Sequence, residues 1–264
     1  MESDFPVILS DAAWAWEGLR RNPGYIQAWE RHRDSLPDLC DRRGSVRYLA
    51  LNKPYLEAET YGLVAFADPE HSASEVPVIW RPQLFKRTLR VSLAESSEGG
   101  SDGFSIRSLK CCPVVLDASC GQRYIRIGGH DFWIQLVTED LLELEEDTQI
   151  SVVLTGSRTF PQRVSSAEQL FSMHQSETGV PTEKKRLPNR YKLLESLLAW
   201  DIYDRNPNGK HTLRDVAAAL VGEERVAREW SSNRSFKDMA IRARNRGRAF
   251  VGGGYCGLLR RATF

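Results

Sequence analysis

Hydrophobic and polar positions along the chain change their rhythm once, near residue 190. Before that point the pattern is mixed. "LSDAAWAWEGLRRNPGYIQAWERHRDSLPDL" puts Ala12, Trp16 and Leu19 on one helical stripe with Ser10 as the N-cap, and Asn22-Pro23-Gly24 stops the helix. A second helix is expected over about Tyr25 to Ser35. "YGLVAFADPEHSASEVPVIWRPQLF" reads as a short apolar run, a Pro-punctuated loop and a second run at Val78 to Trp80. Four strands follow in "PVVLDAS", "QRYIRIGG", "HDFWIQLV" and "QISVVLTG". "ESSEGGSDG", residues 95 to 103, has nothing to bury and is expected to be exposed.

After a helix over about Ser165 to His174, the polar segment 175–188 reads as a linker, and the rest is nearly pure helix. Tyr191, Leu194, Leu198 and Ile202 recur at three- and four-residue steps. "HTLRDVAAALVG" has Thr212 as N-cap, Asp215 at the capping-box position and Gly222 as the stop. A last helix is expected from about Ser232 to Val251. The expected fold is therefore α+β. A mixed helical and β-rich regulatory domain at 1–174 precedes an all-α, helix-turn-helix-like module at 189–264.

Charge sharpens this division. Residues 185 to 264 hold 17 Lys and Arg against 8 Asp and Glu, net +9, whereas the remainder is net −8. A basic C-terminal third suits a polyanion and an acidic remainder suits protein contacts. Placed at 100° steps, Phe236, Met239, Ala240, Ala243, Gly247, Phe250 and Val251 of the last helix fill an arc of about 120° and face a core. Arg234, Lys237, Ile241, Arg244, Asn245 and Arg248 cluster on the other side. Arg pairs with guanine, Asn with adenine, an aliphatic group touches a thymine methyl, and Lys neutralises phosphate, so this is the chemistry of a helix that reads duplex DNA.

"LRDVAAALVGEERVAREWSSNRSFKDMAIRARNRGRAFVGGGYCGLL" resembles the DNA-binding domain of the RovC-like transcriptional regulators of proteobacteria. The shared pattern is a helix with I/V-A-x-A-L-x-G, a variable turn with a Trp, a basic helix and a terminal G-G-Y-x-x-L. "AWAWEGLRRNPGYIQAW" and "GLVAFADPEHSASEVPVIWRP" are similar to the companion N-terminal domain. The resemblance implies a sequence-specific regulator, often of secretion or mobile-element genes. "WSSNRSFKD" departs from the pattern, and no base preference transfers.

Gly252, Gly254 and Gly257 satisfy the G-x-G-x-x-G spacing of a dinucleotide loop. That loop needs a strand before it and a helix after it, whereas here a helix precedes and the sequence ends. The glycines are expected to cap the helix, letting Tyr255, Leu258 and Leu259 fold back on the core as a small wing and freeing Arg260 and Arg261 for phosphate.

No catalytic set emerges. His130-Asp131 stands alone, His32, His71, His174 and His211 lack metal-ligand or nucleophile spacing, and Glu143, Glu145 and Glu146 have no cationic company. Cys40, Cys111, Cys112, Cys120 and Cys256 contain no C-x-x-C and are expected to be reduced, buried thiols. No enzyme activity, metal or cofactor is expected. The partners expected are double-stranded DNA, further copies of the chain in a homo-oligomer, and a protein partner through the N-terminal part. Trp14, Trp16 and Trp29 fit core or docking surface, and the oligomer contact is assigned to aromatic surface around them. With neither leader nor apolar run of membrane-spanning length, the expected location is cytoplasmic, at the nucleoid. The alternatives are an adaptor with a basic docking helix and, behind it, a DNA-processing enzyme.

Overall fold

The computed structural model describes residues 9–37, 40–42, 46–73, 75–94, 113–128, 132–140, 149–154, 159–175, 190–205 and 211–260. Its contacts divide the chain into two units, Leu9–Lys184 with Cys256–Phe264, and Met1–Ile8 with Lys185–Tyr255. The fold is α+β with a helical C-terminal region. All of the expected linker but Gln175, the loop at 95–103, Cys111, Cys112, His130, Asp131, the acidic run at 143–146 and Arg261 lie outside the described residues.

The first unit is built on a seven-stranded mixed sheet in the order β1-β2-β4-β5-β6-β3-β7. The strands are β1 (Cys40–Arg42), β2 (Val46–Ala50), β3 (Leu89–Ala94), β4 (Val114–Asp117), β5 (Arg123–Gly128), β6 (Trp133–Thr138) and β7 (Gln149–Val153). The register lines up Tyr48, Val115, Ile125, Leu136 and Leu89 as one row across five strands. That row forms a core with Ile127, Ile134, Val91 and, from α4 (Phe160–Gln175), Ala167 and Leu170.

Polar side chains hold the opposite face. Gln135 accepts a hydrogen bond from the Trp80 amide at 2.9 Å and donates to the Trp80 carbonyl at 2.6 Å. Its cross-strand neighbour Arg126, 1% exposed, donates to the carbonyls of Ala73 and Val76. Burial, with Arg47 nearby, pulls the Arg126 guanidinium down to about 9. These two side chains take up backbone groups of the segment from Ala73 to Trp80, whose strand-like pairing is an isolated bridge between Trp80 and Leu63, as buried carbonyls and amides require.

Ser10 caps α1 (Asp11–Leu19) as expected, accepting from the Ala13 amide. The aromatic surface expected there is absent. Trp14 and Trp16 are 2% and 0% exposed and Trp29, on α2 (Pro23–His32), is half-buried. Trp16 donates to the His71 carbonyl and packs edge-on against Tyr25. Almost all of α1 is apolar or small, so it can be covered on every side, and α9 (Cys256–Arg260) packs against it with Leu258 and Leu259 buried. The helix α3 (Leu56–Thr60) follows β2.

The second unit comprises α5 (Arg190–Tyr203), α6 (Leu213–Val221), α7 (Glu223–Glu229) and α8 (Arg234–Ala249). Its core joins Ala199, Val216, Ala217, Val226, Phe236, Ala240 and Ala243. Asp215 closes the capping box by accepting the Thr212 amide at 2.7 Å, and Gly222 leaves α6 at φ 96°, where a side chain would be strained. Three expectations are corrected. α5 buries Ser196, Leu197 and Ala199, one step round from the expected stripe, leaving Tyr191 71% exposed. The connection before the last helix contains α7, whose Val226 reaches the core. After α8 the chain kinks at Gly253, φ 129°, and resumes as the helix α9, so two helices joined by a kink stand where a wing was expected.

Candidate nucleic-acid interface

α8 begins where Asn233 caps the Ser235 amide and runs with two unlike sides. Phe236, Ala240, Ala243 and Gly247 are buried. Small residues at three of those four positions let α5 and α6 approach closely, and Gly247 lies directly beneath the Ser196 carbonyl. The opposite side carries Arg234, Lys237, Ile241, Asn245 and Arg248, all exposed, and Ile241 is 41% exposed despite its aliphatic side chain.

The side chains of that face are not equivalent. Among the described residues Arg234 and Asn245 make no ion pair or side-chain hydrogen bond. Lys237 lies with its ammonium 5.5 Å from the Trp230 ring centroid, a cation–π contact made by an exposed side chain. Arg244 is turned inward, its guanidinium 3.8 Å from the Tyr203 ring centroid, its side chain 22% exposed and its Nε 3.5 Å from Asp204 Oδ2. Arg248 donates through Nε to Asp204 Oδ1 at 2.7 Å. The outer side of α8 thus presents Arg234, Lys237, Ile241 and Asn245 in a row, with the two other arginines tied to the end of α5.

Sequence reasoning missed several groups. Arg242 on α8, Arg228 on α7 and Arg214 on α6 are exposed and form no ion pair among the described residues, and each was legible as a cation on the outer side of its helix. Arg246 instead reaches Glu195 at 3.1 Å on α5. Asp204, the partner of two arginines, lies some forty residues away in sequence and gave no local signal. Arg260 is exposed on α9, which belongs to the other unit and not to the helices around α8. Cys120 is exposed, contrary to the buried thiol expected, and Cys256 is half-buried. No group of three metal-ligating side chains occurs among the described residues, and no described helix is long and apolar enough to cross a membrane.

Residues 153–260 match the family model of a DNA-binding domain described as "T6SS, Transcription factor, DNA binding domain". The match is to the RovC DNA-binding domain, and it supports a RovC-like, DNA-binding regulator of transcription. It covers every residue of the exposed row on α8. It starts at Val153, well before α5, and so takes in α4, while the N-terminal region lies outside it. No curated protein matches the chain.

Proposed function

We propose that the chain is a sequence-specific regulator of transcription that lays the outer face of α8 in the major groove of duplex DNA. The observation that carries this reading is the row Arg234, Lys237, Ile241 and Asn245, exposed on a helix whose opposite side is fixed in a packed core. A groove-reading helix needs that combination, since a rigid back positions the polar atoms and a free front lets them reach base edges. Asn245 has the amide for adenine, Ile241 the methyl contact for thymine, Arg234 the fork for guanine or phosphate, and Lys237 the charge for the backbone. α6 and α7 stand before α8 as the supporting helices of a helix-turn-helix-like arrangement.

A helix of this length reads only a few base pairs, so specific affinity calls for two or more copies spaced by turns of the duplex. We assign that assembly, and contacts with other proteins, to the acidic N-terminal region, and place the protein in the cytoplasm at the nucleoid. Selecting bound duplexes from a random pool at fixed salt tests the reading. It succeeds if one motif is enriched and if Asn245→Ala relaxes preference at one position of it. An unenriched pool turns the assignment toward an adaptor whose basic helix docks on protein, and cleavage of duplex with added divalent metal would turn it toward a DNA-processing enzyme.

A further inference from the structure

The residue after α5, Asp204, has a side chain only 7% exposed and faces two cations of α8. Its Oδ1 accepts Nε of Arg248 at 2.7 Å and lies 2.5 Å from Nη2 of the same guanidinium. Its Oδ2 looks toward Nε of Arg244 at 3.5 Å, and among the described residues neither of those two buried atoms has a hydrogen-bond partner. Arg244 is further pinned by its stack on Tyr203. One buried carboxylate therefore faces two guanidinium groups, and the burial of Asp204 and Arg244 leaves their attraction less screened than that of an exposed pair. Arg248 is nevertheless 51% exposed and sits on the outer side of the helix, close enough to the reading row to join it if released.

Affinity for any duplex, whatever its sequence, grows with the number of cations that meet phosphate, each adding to the salt dependence of binding. Discrimination is the difference between cognate and non-cognate affinities, so it improves when cations that read nothing are withheld. We propose that Asp204 is a positioning residue that restrains Arg244 and Arg248. It limits the phosphate-neutralising charge of α8 to the untethered groups and thereby raises sequence discrimination. The proposal rests on α8 being the DNA-reading helix. It differs from a buttress role, in which Asp204 would aim Arg248 at a phosphate, by the sign of one measurement.

The test uses the full-length protein and a scrambled duplex across a salt series, with Asp204→Asn, Arg248→Ala, Arg234→Ala and Lys237→Ala beside the parent. Asp204→Asn keeps the shape and removes the charge. It is expected to bind the scrambled duplex more tightly at low salt, with a log–log salt slope steeper by about one to two. Arg248→Ala is expected to leave the parental slope unchanged, because that guanidinium is already engaged. A loss of packing alone would weaken binding without steepening the slope, so the readout separates restraint from stability. An unchanged or shallower slope for Asp204→Asn overturns the proposal. So does a slope shallower by about one for Arg248→Ala, which also decides the matter if Asp204→Asn does not fold. If Arg234→Ala and Lys237→Ala leave the parental slope untouched, the reading of α8 itself fails and takes this proposal with it. A parent sensitive to those two changes with a flat response to Asp204→Asn removes the restraint alone.

Discussion

Gly247 of α8 and the carbonyl oxygen of Ser196 on α5 are so close that a Cβ on the glycine would overlap the oxygen, with Trp200 Cβ only 3.3 Å away. Two effects oppose each other at this position. Helix propensity favours Ala over Gly by about 1 kcal/mol in a helix interior. The clash is with backbone, which cannot swing aside as the end of a side chain can, so α5 and α8 must move apart and loosen the contacts around Ala199 and Ala243. Overpacking of this kind costs roughly 1 to 3 kcal/mol, so Gly247→Ala is expected to destabilise the C-terminal unit despite its better propensity. Urea unfolding followed by far-UV circular dichroism checks this, and a midpoint equal to or above the parent's contradicts the close approach.

Phe236 lies on the same buried side of α8, 5% exposed, with the Arg225 guanidinium 5.5 Å from its ring centroid. Phe236→Ala removes a ring from the core it shares with Val216, Val226 and Ala240, and large-to-small changes of this kind cost about 3 to 5 kcal/mol. The expected outcome is loss of the cooperative transition of the helical unit together with loss of DNA binding on every sequence. Arg244→Ala is expected to act in the same direction but more weakly, since an exposed-to-buried cation–π stack contributes about 0.5 to 2 kcal/mol and Asp204 also loses a neighbour. A melt of Arg244→Ala identical to the parent's would show that the Tyr203 stack contributes nothing.

How much of this was legible in the sequence depends on whether the signal was local. The two sides of α8 follow from a 3.6-residue period that one helix carries by itself, and the caps at Ser10, Thr212 and Gly222 are equally local. The strands β4 to β7 announced themselves by apolar runs between turn residues, but β2 and β3 did not. In β2 apolar and polar residues share the strand without strict alternation, and β3 opens in a segment rich in Arg and Lys. Trp14 and Trp16 point to opposite sides of α1, which suits an exposed surface as well as a fully enclosed helix, and only the packing of α9 and the 63–80 loop decides for enclosure. The fate of Arg244 and Arg248 was illegible for a related reason: a cation on a helix looks the same in sequence whether it faces a phosphate or a buried aspartate from another helix.

If α8 is the reading helix, as proposed, its exposed row should make two kinds of contact with different signatures. Asn245→Ala is expected to cost about 1 to 3 kcal/mol on the selected duplex and little on a scrambled one, because an amide reads a base edge and leaves phosphate alone. Lys237→Ala is expected to weaken both duplexes alike and to reduce the salt slope by about one. Neither side chain is buried, and Lys237→Ala gives up only an exposed cation–π contact with Trp230, so thermal unfolding should stay close to the parent's. Fluorescence anisotropy on both duplexes at several salt concentrations distinguishes them. Two variants that bind both duplexes as the parent does would remove α8 from the DNA interface.

The sheet offers an alkaline probe of the N-terminal unit that is independent of DNA. Tyr124 on β5 is 6% exposed and donates to Gln122 at 2.8 Å, and burial pushes its phenol up from 10.0 to about 12. Its ordinary value of 10.0 holds in the unfolded chain, so between pH 10 and about pH 12 the folded protein keeps a proton that the unfolded chain has released. Folding then binds the extra proton, and the protonated ring contributes stability that is fully present below pH 10 and is lost as pH rises through about 12. Tyr124→Phe removes the titrating group while keeping the ring, so its stability should decline less steeply than the parent's over that window. The check is the difference in urea midpoint between the two proteins at a series of alkaline pH values. The gap should widen in the variant's favour as the phenolate forms, and parallel curves would mean that the phenol ionises in the folded state as readily as it does in water.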